Sequence, residues 1–260
     1  MPIEAKKSLG QNFLVSDAVI NKILEAAKSF RPENLIEIGP GPGALTDHLK
    51  QWSLPLKLIE LDRNLASYWR EQGCEVIEAD ALQIDWKNLI AGQNVVLISN
   101  LPYQISSSLV IDRSLEEEGL QAMVLMFQKE VAQRINAEKS SEHYGLLSVI
   151  AQNFWQIKTV SEAGPRDFSP APRVASRVLA FTKKKSEIKN RKKFLKFVKA
   201  AFSQRRKQMK SNLLSDPEWQ DKSPILFPQW LESRQLPLTV RAEELSPTDM
   251  KDLYFHFQLE

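Results

Sequence analysis

The chain is poor in the residues that build metal sites and disulfide cross-links. Cys74 is the single cysteine among 260 residues, so no disulfide can form within the chain. The three histidines, His48, His143 and His256, are scattered without the short spacings that metal ligands require. We therefore expect neither a zinc site nor a cysteine-bound cluster, and no metal cofactor.

Long apolar runs are also missing. No stretch approaches the roughly 20 apolar residues that a transmembrane helix needs. Residues 1–7 lack the apolar region of a secretory signal peptide. These absences predict a soluble, cytoplasmic protein with no membrane-spanning segment.

Positive charge is concentrated in one segment. The net charge of the whole chain is +3, but residues 183–210 contain thirteen Lys or Arg and one acid, Glu187. The remainder of the chain is therefore net negative. A distribution of this kind predicts an anionic partner, with nucleic acid the first candidate and a membrane surface the second.

From residue 34 onwards, apolar β-like runs alternate with helical patterns. Helical patterns such as residues 44–51 and 64–72 lie between the runs. The predicted strands cover residues 35–38, 56–61, 75–77, 95–99, 122–127, 154–160 and 178–181. Regular alternation predicts an α/β fold, with a mostly parallel sheet and helices on both of its faces.

Beyond Thr182 the strand patterns stop and helical ones take over. Phe194, Phe197 and Val198 recur at helical intervals with lysines between them, which predicts an amphipathic helix. We place the domain boundary here, giving domains 1–182 and 183–260. The prolines expected to separate the later helices are Pro224, Pro228, Pro237 and Pro247.

The first predicted strand runs into a glycine-rich turn, Gly39-Pro40-Gly41-Pro42-Gly43. At the carboxyl end of a strand in an α/β sheet, glycines let the backbone approach a cofactor. The spacing from Gly39 to Gly41 and Ala44 also satisfies the dinucleotide fingerprint. On this motif alone, a dehydrogenase remains an alternative.

Acidic residues close the next two predicted strands. Glu60 is placed to accept hydrogen bonds from the ribose hydroxyls of an adenosine moiety, and Asp80 to accept one from its adenine. Taken singly, each is explained as well by a strand-end charge or a helix cap. Together with Gly39 and Asn100 at neighbouring strand ends, they favour S-adenosylmethionine over a dinucleotide.

The turn Asn100-Leu101-Pro102-Tyr103 follows an apolar run. It suits the exocyclic N6 of adenine, a poor nucleophile because its lone pair is delocalised into the purine. The Asn100 side-chain oxygen and the Leu101 carbonyl are placed to accept its two hydrogens, which favours a pyramidal nitrogen with a free lone pair. Tyr103 is placed to stack on the base. The alternative is a plain turn in which Pro102 ends the strand and Asn100 caps a helix over residues 105–115.

These motifs resemble those of the S-adenosylmethionine-dependent adenine N6-methyltransferases. Residues 7–14, Lys-Ser-Leu-Gly-Gln-Asn-Phe-Leu, look like the N-terminal signature of the ribosomal RNA adenine dimethyltransferases. Residues 168–178 match that family's F-x-P-x-P-x-V-x-S-x-V stretch. The resemblance covers nearly the whole chain. It implies a Rossmann-like methyltransferase domain with a mostly parallel seven-stranded sheet, followed by a small all-helical C-terminal domain.

The resemblance also implies roles for the matching residues. Asn12 and Leu14 would close over S-adenosylmethionine, and Phe168 and Tyr103 would sandwich the target base. The implied cofactor-binding residues are Asn12, Leu14, Gly39, Gly41, Glu60, Asp80 and Asn100. The implied catalytic residues are Asn100, Leu101, Tyr103 and Phe168.

Within the family, the chain looks most like the bacterial enzymes that dimethylate two adjacent adenines in a hairpin loop near the 3′ end of small-subunit rRNA. The implied partner is this rRNA in a pre-ribosomal particle, bound by a monomer with a role in rRNA processing and ribosome biogenesis. Two alternatives remain open: a large-subunit rRNA adenine methyltransferase that confers antibiotic resistance, and a noncatalytic assembly factor.

The family's helical domain usually has a segment of the R-R-K-T-L-x-N type, and this chain has Arg-Arg-Lys-Gln-Met-Lys-Ser-Asn at residues 205–212. Arg205, Arg206 and Lys207 are predicted phosphate contacts, which position RNA without reading its sequence. Gln208 and Met209 depart from the family pattern, so the RNA contacts are less well supported than the active site. The lysines of residues 189–199 are equally consistent with a solvated helix face.

Overall fold

The computed structural model describes residues 12–90, 94–116 and 120–257, so most of the signature at residues 7–14 lies outside the described residues. The strands are β1 (Phe13–Leu14), β2 (Asn34–Ile38), β3 (Leu56–Glu60), β4 (Glu75–Glu78), β5 (Val95–Asn100), β6 (Leu120–Gln128), β7 (Trp155–Ala163), β8 (Phe168–Ser169) and β9 (Ser176–Lys183). The α-helices are α1 (Asp17–Ser29), α2 (Thr46–Leu49), α3 (Arg63–Glu71), α4 (Trp86–Leu89), α5 (Ser106–Leu115), α6 (Lys129–Ile135), α7 (Leu146–Phe154), α8 (Arg191–Ala201), α9 (Met209–Leu214), α10 (Ser223–Ser233) and α11 (Pro247–His256).

A seven-stranded sheet has the order β4-β3-β2-β5-β6-β9-β7. The pairs β3 with β4, β2 with β3, β2 with β5, and β5 with β6 are parallel, whereas β9 is antiparallel to β6. The predicted α/β class with a mostly parallel seven-stranded sheet is therefore confirmed. Parallel strands bring their carboxyl ends to one edge, so the turns after β2, β3, β4 and β5 meet there.

Apolar burial explains where the central elements lie. Strands β5 and β6 are almost continuously buried, as expected for strands covered on both faces. Helix α1 packs on β6 and β9 through an apolar stripe at three- and four-residue spacing that includes Val19, Ile23 and Ala27. Burying one such valine or isoleucine side chain contributes roughly 1.5 to 3 kcal/mol. The packing of α1 therefore stabilises the sheet whose strand ends carry the site.

Contacts divide the chain into two compact units. The first comprises Met1–Ala132 and Gln156–Lys183, and the second Gln133–Trp155 and Lys184–Glu260. The predicted domains 1–182 and 183–260 stay a prediction, but the second compact unit also takes in α7, which the sequence did not reveal. Helix α7 is buried on most sides, including Leu147, Val149 and Ile150. At nine residues, α7 is too short for its apolar positions to establish a clear helical period.

The second unit is built on aromatic packing. In α8, which Asn190 caps by accepting from the Lys193 amide, the Phe197 ring contacts the rings of Trp219 and Phe257 at centroid distances of 5.0 and 5.6 Å. The amphipathic helix predicted there is present.

The prolines of the second unit do not all separate helices. Pro224 and Pro247 lie in the first turns of α10 and α11, as expected, but Pro228 lies inside α10. The expectation for Pro228 was therefore wrong. The helix loses only the one bond that an amide at position 228 would make to the carbonyl of Pro224. Among the described residues, no helix has the length and apolar character needed to cross a bilayer.

Candidate active site at the carboxyl edge of the sheet

A cavity of about 240 Å³ opens at the carboxyl edge of the sheet, and we call it the cleft. Gly39 and Gly41 reach it from the turn after β2, and Glu60 from the end of β3. Asp80 reaches it after β4, and Asn100 from the end of β5. The parallel topology thus brings to one cavity the four strand ends that the sequence had singled out.

The glycine turn presents bare backbone to the cleft. Gly39 and Gly41 have φ angles of +64° and +54°, which L side chains rarely adopt. A Cβ added at Gly41 would also lie 3.3 Å from the ring of Phe13. The indole Nε1 of Trp69 donates a buried hydrogen bond of 3.0 Å to the Gly41 carbonyl. The bond from Trp69 therefore helps to hold the turn in place.

A buried acid lies beside this turn. Glu37 of β2 is 2% exposed and accepts a 2.8 Å hydrogen bond from the Thr46 hydroxyl of α2. Burial raises the pKa of Glu37 to about 8, the Thr46 hydrogen bond lowers it, and the charges of Asp47 and Glu60 raise it further. Glu37 therefore carries a proton at neutral pH. Sequence reasoning missed it, since the only signal is one acid interrupting an apolar strand.

The Glu60 carboxyl group forms part of the cleft wall. It is 6% exposed, and its Oε1 accepts from the Asp62 amide at 2.9 Å. Burial raises the pKa of Glu60, and hydrogen bonds from the amides of Asp62, Gly41 and Leu61 act in the opposite direction. Its carboxyl oxygens are suitable acceptors for hydroxyl groups of a ligand in the cleft.

Asp80 lines the cleft from a tight turn. Its Oδ1 accepts from the Leu82 amide at 2.9 Å, and its Oδ2 accepts from the Gln83 side chain at 3.2 Å. Each carboxylate oxygen has two acceptor sites, so a ligand amine can share either oxygen. The turn fixes the direction in which the carboxylate faces.

The side chain of Asn100 is oriented by a main-chain group. Its Nδ2 donates to the Asn12 carbonyl at 3.0 Å, so its Oδ1 faces the other side of the amide. The Ser99 hydroxyl, fully buried, donates to the Ile38 carbonyl at 2.6 Å and ties the end of β5 to the end of β2. Leu101, 2% exposed, also lines the cleft. The strand end therefore brings a fixed amide and the next residue to the cavity.

Tyr103 completes this wall of the cleft and is anchored twice. Its hydroxyl lies 3.0 Å from the Ser176 hydroxyl. Its main-chain carbonyl accepts from the Ser106 hydroxyl at 2.9 Å. An aromatic ring with its main chain and its tip both bonded is a rigid surface for stacking.

Two predicted site residues do not bring their side chains to the cleft. Leu14 and Phe168 are 3% and 4% exposed and belong to an apolar core cluster with Val178. They are paired in register between β1 and β8. Phe13 lines the cleft in their place, because successive side chains of a strand point to opposite faces. The cofactor contact of Leu14 and the base contact of Phe168 stay predictions.

The predicted RNA-binding residues lie in the second unit and are exposed. The Arg205 guanidinium pairs with Glu243 at 2.7 Å and donates to the Ser141 carbonyl at 3.3 Å. A phosphate would compete with Glu243 for Arg205. Within the described ranges, no cluster of three or more His, Cys, Asp or Glu residues is arranged to hold a metal ion.

A mostly parallel sheet whose strand ends carry a glycine turn, two carboxylates and an Asn-Leu-Pro-Tyr turn is the arrangement expected of an S-adenosylmethionine-dependent methyltransferase. The sequence matches the family described as ribosomal RNA adenine dimethylase over residues 3–254. The chain belongs to the ribosomal RNA adenine dimethylase family.

Relatives agree with this assignment, and two solved structures are similar in fold. The chain is 60% identical to Ribosomal RNA small subunit methyltransferase A of Bdellovibrio bacteriovorus, with 100% of this chain and 95% of that protein covered. It is 34% identical to the protein of the same name from Natranaerobius thermophilus, covering 97% and 91%. The fold is similar to a dimethyladenosine transferase from Plasmodium falciparum, with a TM-score of 0.76, 23% identity and coverage of 95% and 97%. It is also similar to the 23S rRNA methyltransferase ErmE, with a TM-score of 0.69, 22% identity and coverage of 95% and 100%.

Proposed function

We propose that the protein dimethylates the N6 atoms of two adjacent adenines in a hairpin loop near the 3′ end of small-subunit rRNA, with S-adenosylmethionine as methyl donor. The observation that carries the proposal is the fixed amide of Asn100 at the cleft, with its nitrogen bonded to Asn12. Similarity along the whole chain to small-subunit methyltransferases supports the choice of rRNA. A monomer would act on a pre-ribosomal particle in the cytoplasm, as a step in small-subunit biogenesis.

The residues of the cleft fit S-adenosylmethionine. Gly39 and Gly41 have no side chain to keep the amino acid part of the cofactor from the backbone. The Glu60 carboxyl group suits the two ribose hydroxyls, and the Asp80 carboxylate suits the adenine amino group. Asn12 and the main chain of Leu14 would close the cleft from the N-terminal side.

The chemistry follows from what the Asn-Leu-Pro-Tyr turn does to an amine. Bound S-adenosylmethionine supplies an electrophilic methyl carbon. Asn100 accepts one hydrogen of the adenine N6 group through Oδ1, and the Leu101 carbonyl accepts the other. These bonds favour a pyramidal nitrogen and hold its lone pair on the line of attack. Each transfer releases one N6 hydrogen as a proton, so after the first transfer one of the two acceptors would hold the single remaining hydrogen for the second.

Tyr103 supplies a stacking surface for the target adenine. Stacking of a base on an aromatic side chain is worth about 1 to 3 kcal/mol. Phe168 would complete a sandwich only by leaving its buried position beside Leu14, so Tyr103 carries most of the stacking in this proposal. A base in a hairpin loop costs less to extrude than a paired one, which suits the proposed target.

Two other functions are less well supported. A large-subunit target has the similarity to a 23S rRNA methyltransferase in its favour, but at 22% identity that likeness concerns the fold alone. A noncatalytic assembly factor would have no need of a bonded amide at Asn100 beside the acids Glu60 and Asp80.

Methyl transfer to defined ribosomal particles tests the proposal. The protein is incubated with labelled S-adenosylmethionine and small subunits that lack the modification, and rRNA fragments are analysed by mass spectrometry. We expect two dimethyladenosines in one fragment near the 3′ end, and none in large subunits. Label confined to large-subunit rRNA would contradict the target. If the protein bound the particles but transferred no label, the proposed methyltransferase activity would be contradicted, and a noncatalytic assembly factor would be favoured.

A further inference from the structure

Tyr103 is tied to a residue far away in the sequence. Its hydroxyl and the Ser176 hydroxyl are 3.0 Å apart, although 73 residues separate them in the chain. Tyr103 lines the cleft and is half-buried, whereas Ser176 is fully buried. The bond therefore links a side chain that a substrate can touch to one that it cannot.

Ser176 occupies a rigid place in the sheet. It is the first residue of β9 and pairs with Gln128 of β6 in an antiparallel ladder. Val178 follows two positions later, so its fully buried side chain points to the same face. A hydroxyl group fixed in this way cannot follow a movement of the turn after β5. It serves as a stationary anchor for the Tyr103 ring.

Tyr103 has a second hydrogen bond, at its main chain, and this bond limits what the bond to Ser176 can control. Because the Ser106 hydroxyl already holds the Tyr103 carbonyl at 2.9 Å, the main chain at this position is fixed. The remaining freedom is rotation about χ1, which swings the tip of the ring. A bond at the tip removes that freedom and leaves one ring orientation at the cleft.

We propose that Ser176 is a positioning residue for methyl transfer, whose hydroxyl holds the Tyr103 ring in the orientation on which the target adenine stacks. The inference rests on the proposed function, since it assigns the stacking surface to Tyr103. A swinging ring lets the adenine tilt, and small misplacements of a reacting group are costly to rate. Removing either hydroxyl leaves Glu60 and Asp80, the acceptors proposed for the cofactor, in place, so we expect cofactor affinity to stay nearly unchanged.

Four variants test the role. Ser176→Ala and Tyr103→Phe remove the bond from its two sides, and the double variant removes both hydroxyls. Ser114→Ala is the matched control, because Ser114 is also fully buried and donates a helix bond of 2.6 Å to the Val110 carbonyl. Each variant is assayed by single turnover on unmethylated small subunits, by calorimetry with S-adenosylmethionine, and by the ratio of monomethyl to dimethyl adenosine.

Ser176→Ala and Tyr103→Phe should each slow methyl transfer about three- to tenfold, the factor expected for one partly exposed hydrogen bond. Monomethyl adenosine should accumulate, and cofactor affinity should stay within about twofold of wild type. The double variant should be no slower than either single variant, because all three lack the same bond. Ser114→Ala should transfer methyl groups at the wild-type rate.

Wild-type rates in Tyr103→Phe would overturn the inference, even if Ser176→Ala failed to fold. Rate losses that multiply in the double variant would also overturn it, since Ser176 would then act other than through Tyr103. Failure of the wild-type protein to methylate rRNA would instead remove the proposed function on which the inference rests.

Discussion

At the scale of single residues, Glu37 links stability to pH. Its carboxyl group is buried between β2 and α2, bonded to Thr46, and burial raises its pKa to about 8. Between about pH 4.5 and 8 the folded protein keeps a proton that the unfolded chain releases. The contribution of Glu37 to the free energy of unfolding is therefore greatest at low pH. It falls as the pH rises through this window and is constant above it.

Glu37→Gln should remove this dependence, because glutamine resembles the protonated acid and does not titrate. The difference in unfolding free energy between variant and wild type should shift in favour of the variant by a few kcal/mol from about pH 4.5 to 8. Urea unfolding at a series of pH values measures it. The same substitution at exposed Glu71 controls for the lost charge. A difference that stays constant over the window would refute the buried, protonated state of Glu37.

At the scale of elements, the turns after the strands are held by contacts from neighbouring helices. The glycine turn after β2 is bonded through the Gly41 carbonyl to Trp69 of α3. A Cβ on Gly43 would approach the Trp69 ring to 2.9 Å, so the indole is packed directly on the turn. The position of α3 thus influences how the glycine turn presents its backbone to the cleft.

Trp69→Phe keeps an aromatic ring in α3 but removes the donor to Gly41. S-adenosylmethionine should bind about three- to tenfold more weakly, since one buried hydrogen bond no longer holds the turn. Isothermal calorimetry measures the affinity. Trp230→Phe in α10, at a buried indole of the second unit, serves as the control and should leave the affinity unchanged. If wild type and Trp69→Phe bound S-adenosylmethionine equally well, the glycine turn would keep its conformation without the bond from Trp69.

The sequence predicted elements whose signals are local. Apolar runs that end in Glu60 and Asn100 marked strands and their polar ends, and the parallel sheet gathered those ends as expected. The bonds from Trp69 and Ser176 were not predicted, because their partners lie 28 and 73 residues away. Such contacts depend on tertiary packing and leave no periodic pattern. The burial of Leu14 and Phe168 was not predicted either, since it depends on the pairing of β1 with β8, and their roles in the site stay predictions.

At the scale of the whole molecule, charge is divided between the two units. Residues 183–210 hold thirteen Lys or Arg in a chain whose net charge is only +3. All but Lys183 belong to the second compact unit. Binding to rRNA through such a segment releases counterions and must weaken as salt rises. In the proposed function, the first unit carries the residues of methyl transfer and the second carries the residues that contact phosphates.

The double variant Arg206→Ala/Lys207→Ala should bind small subunits more weakly, with the slope of log affinity against log salt reduced by about 2. Binding over a series of salt concentrations measures the slope. Lys28→Ala/Lys87→Ala removes the same charge from exposed positions of the first unit and should leave the slope unchanged. A slope unaffected by Arg206→Ala/Lys207→Ala would place the phosphate contacts elsewhere.

In the proposed mechanism, the Asn100 amide holds the amine that receives the methyl group. The most direct measurement is the single-turnover rate of Asn100→Ala on unmethylated small subunits at saturating S-adenosylmethionine, with cofactor affinity determined in parallel. We expect the rate to fall by about 100-fold or more while cofactor binding is partly retained. Asn88→Ala, at an exposed asparagine of α4, should behave as wild type. A wild-type rate in Asn100→Ala would contradict the proposed role of the Asn100 amide in methyl transfer.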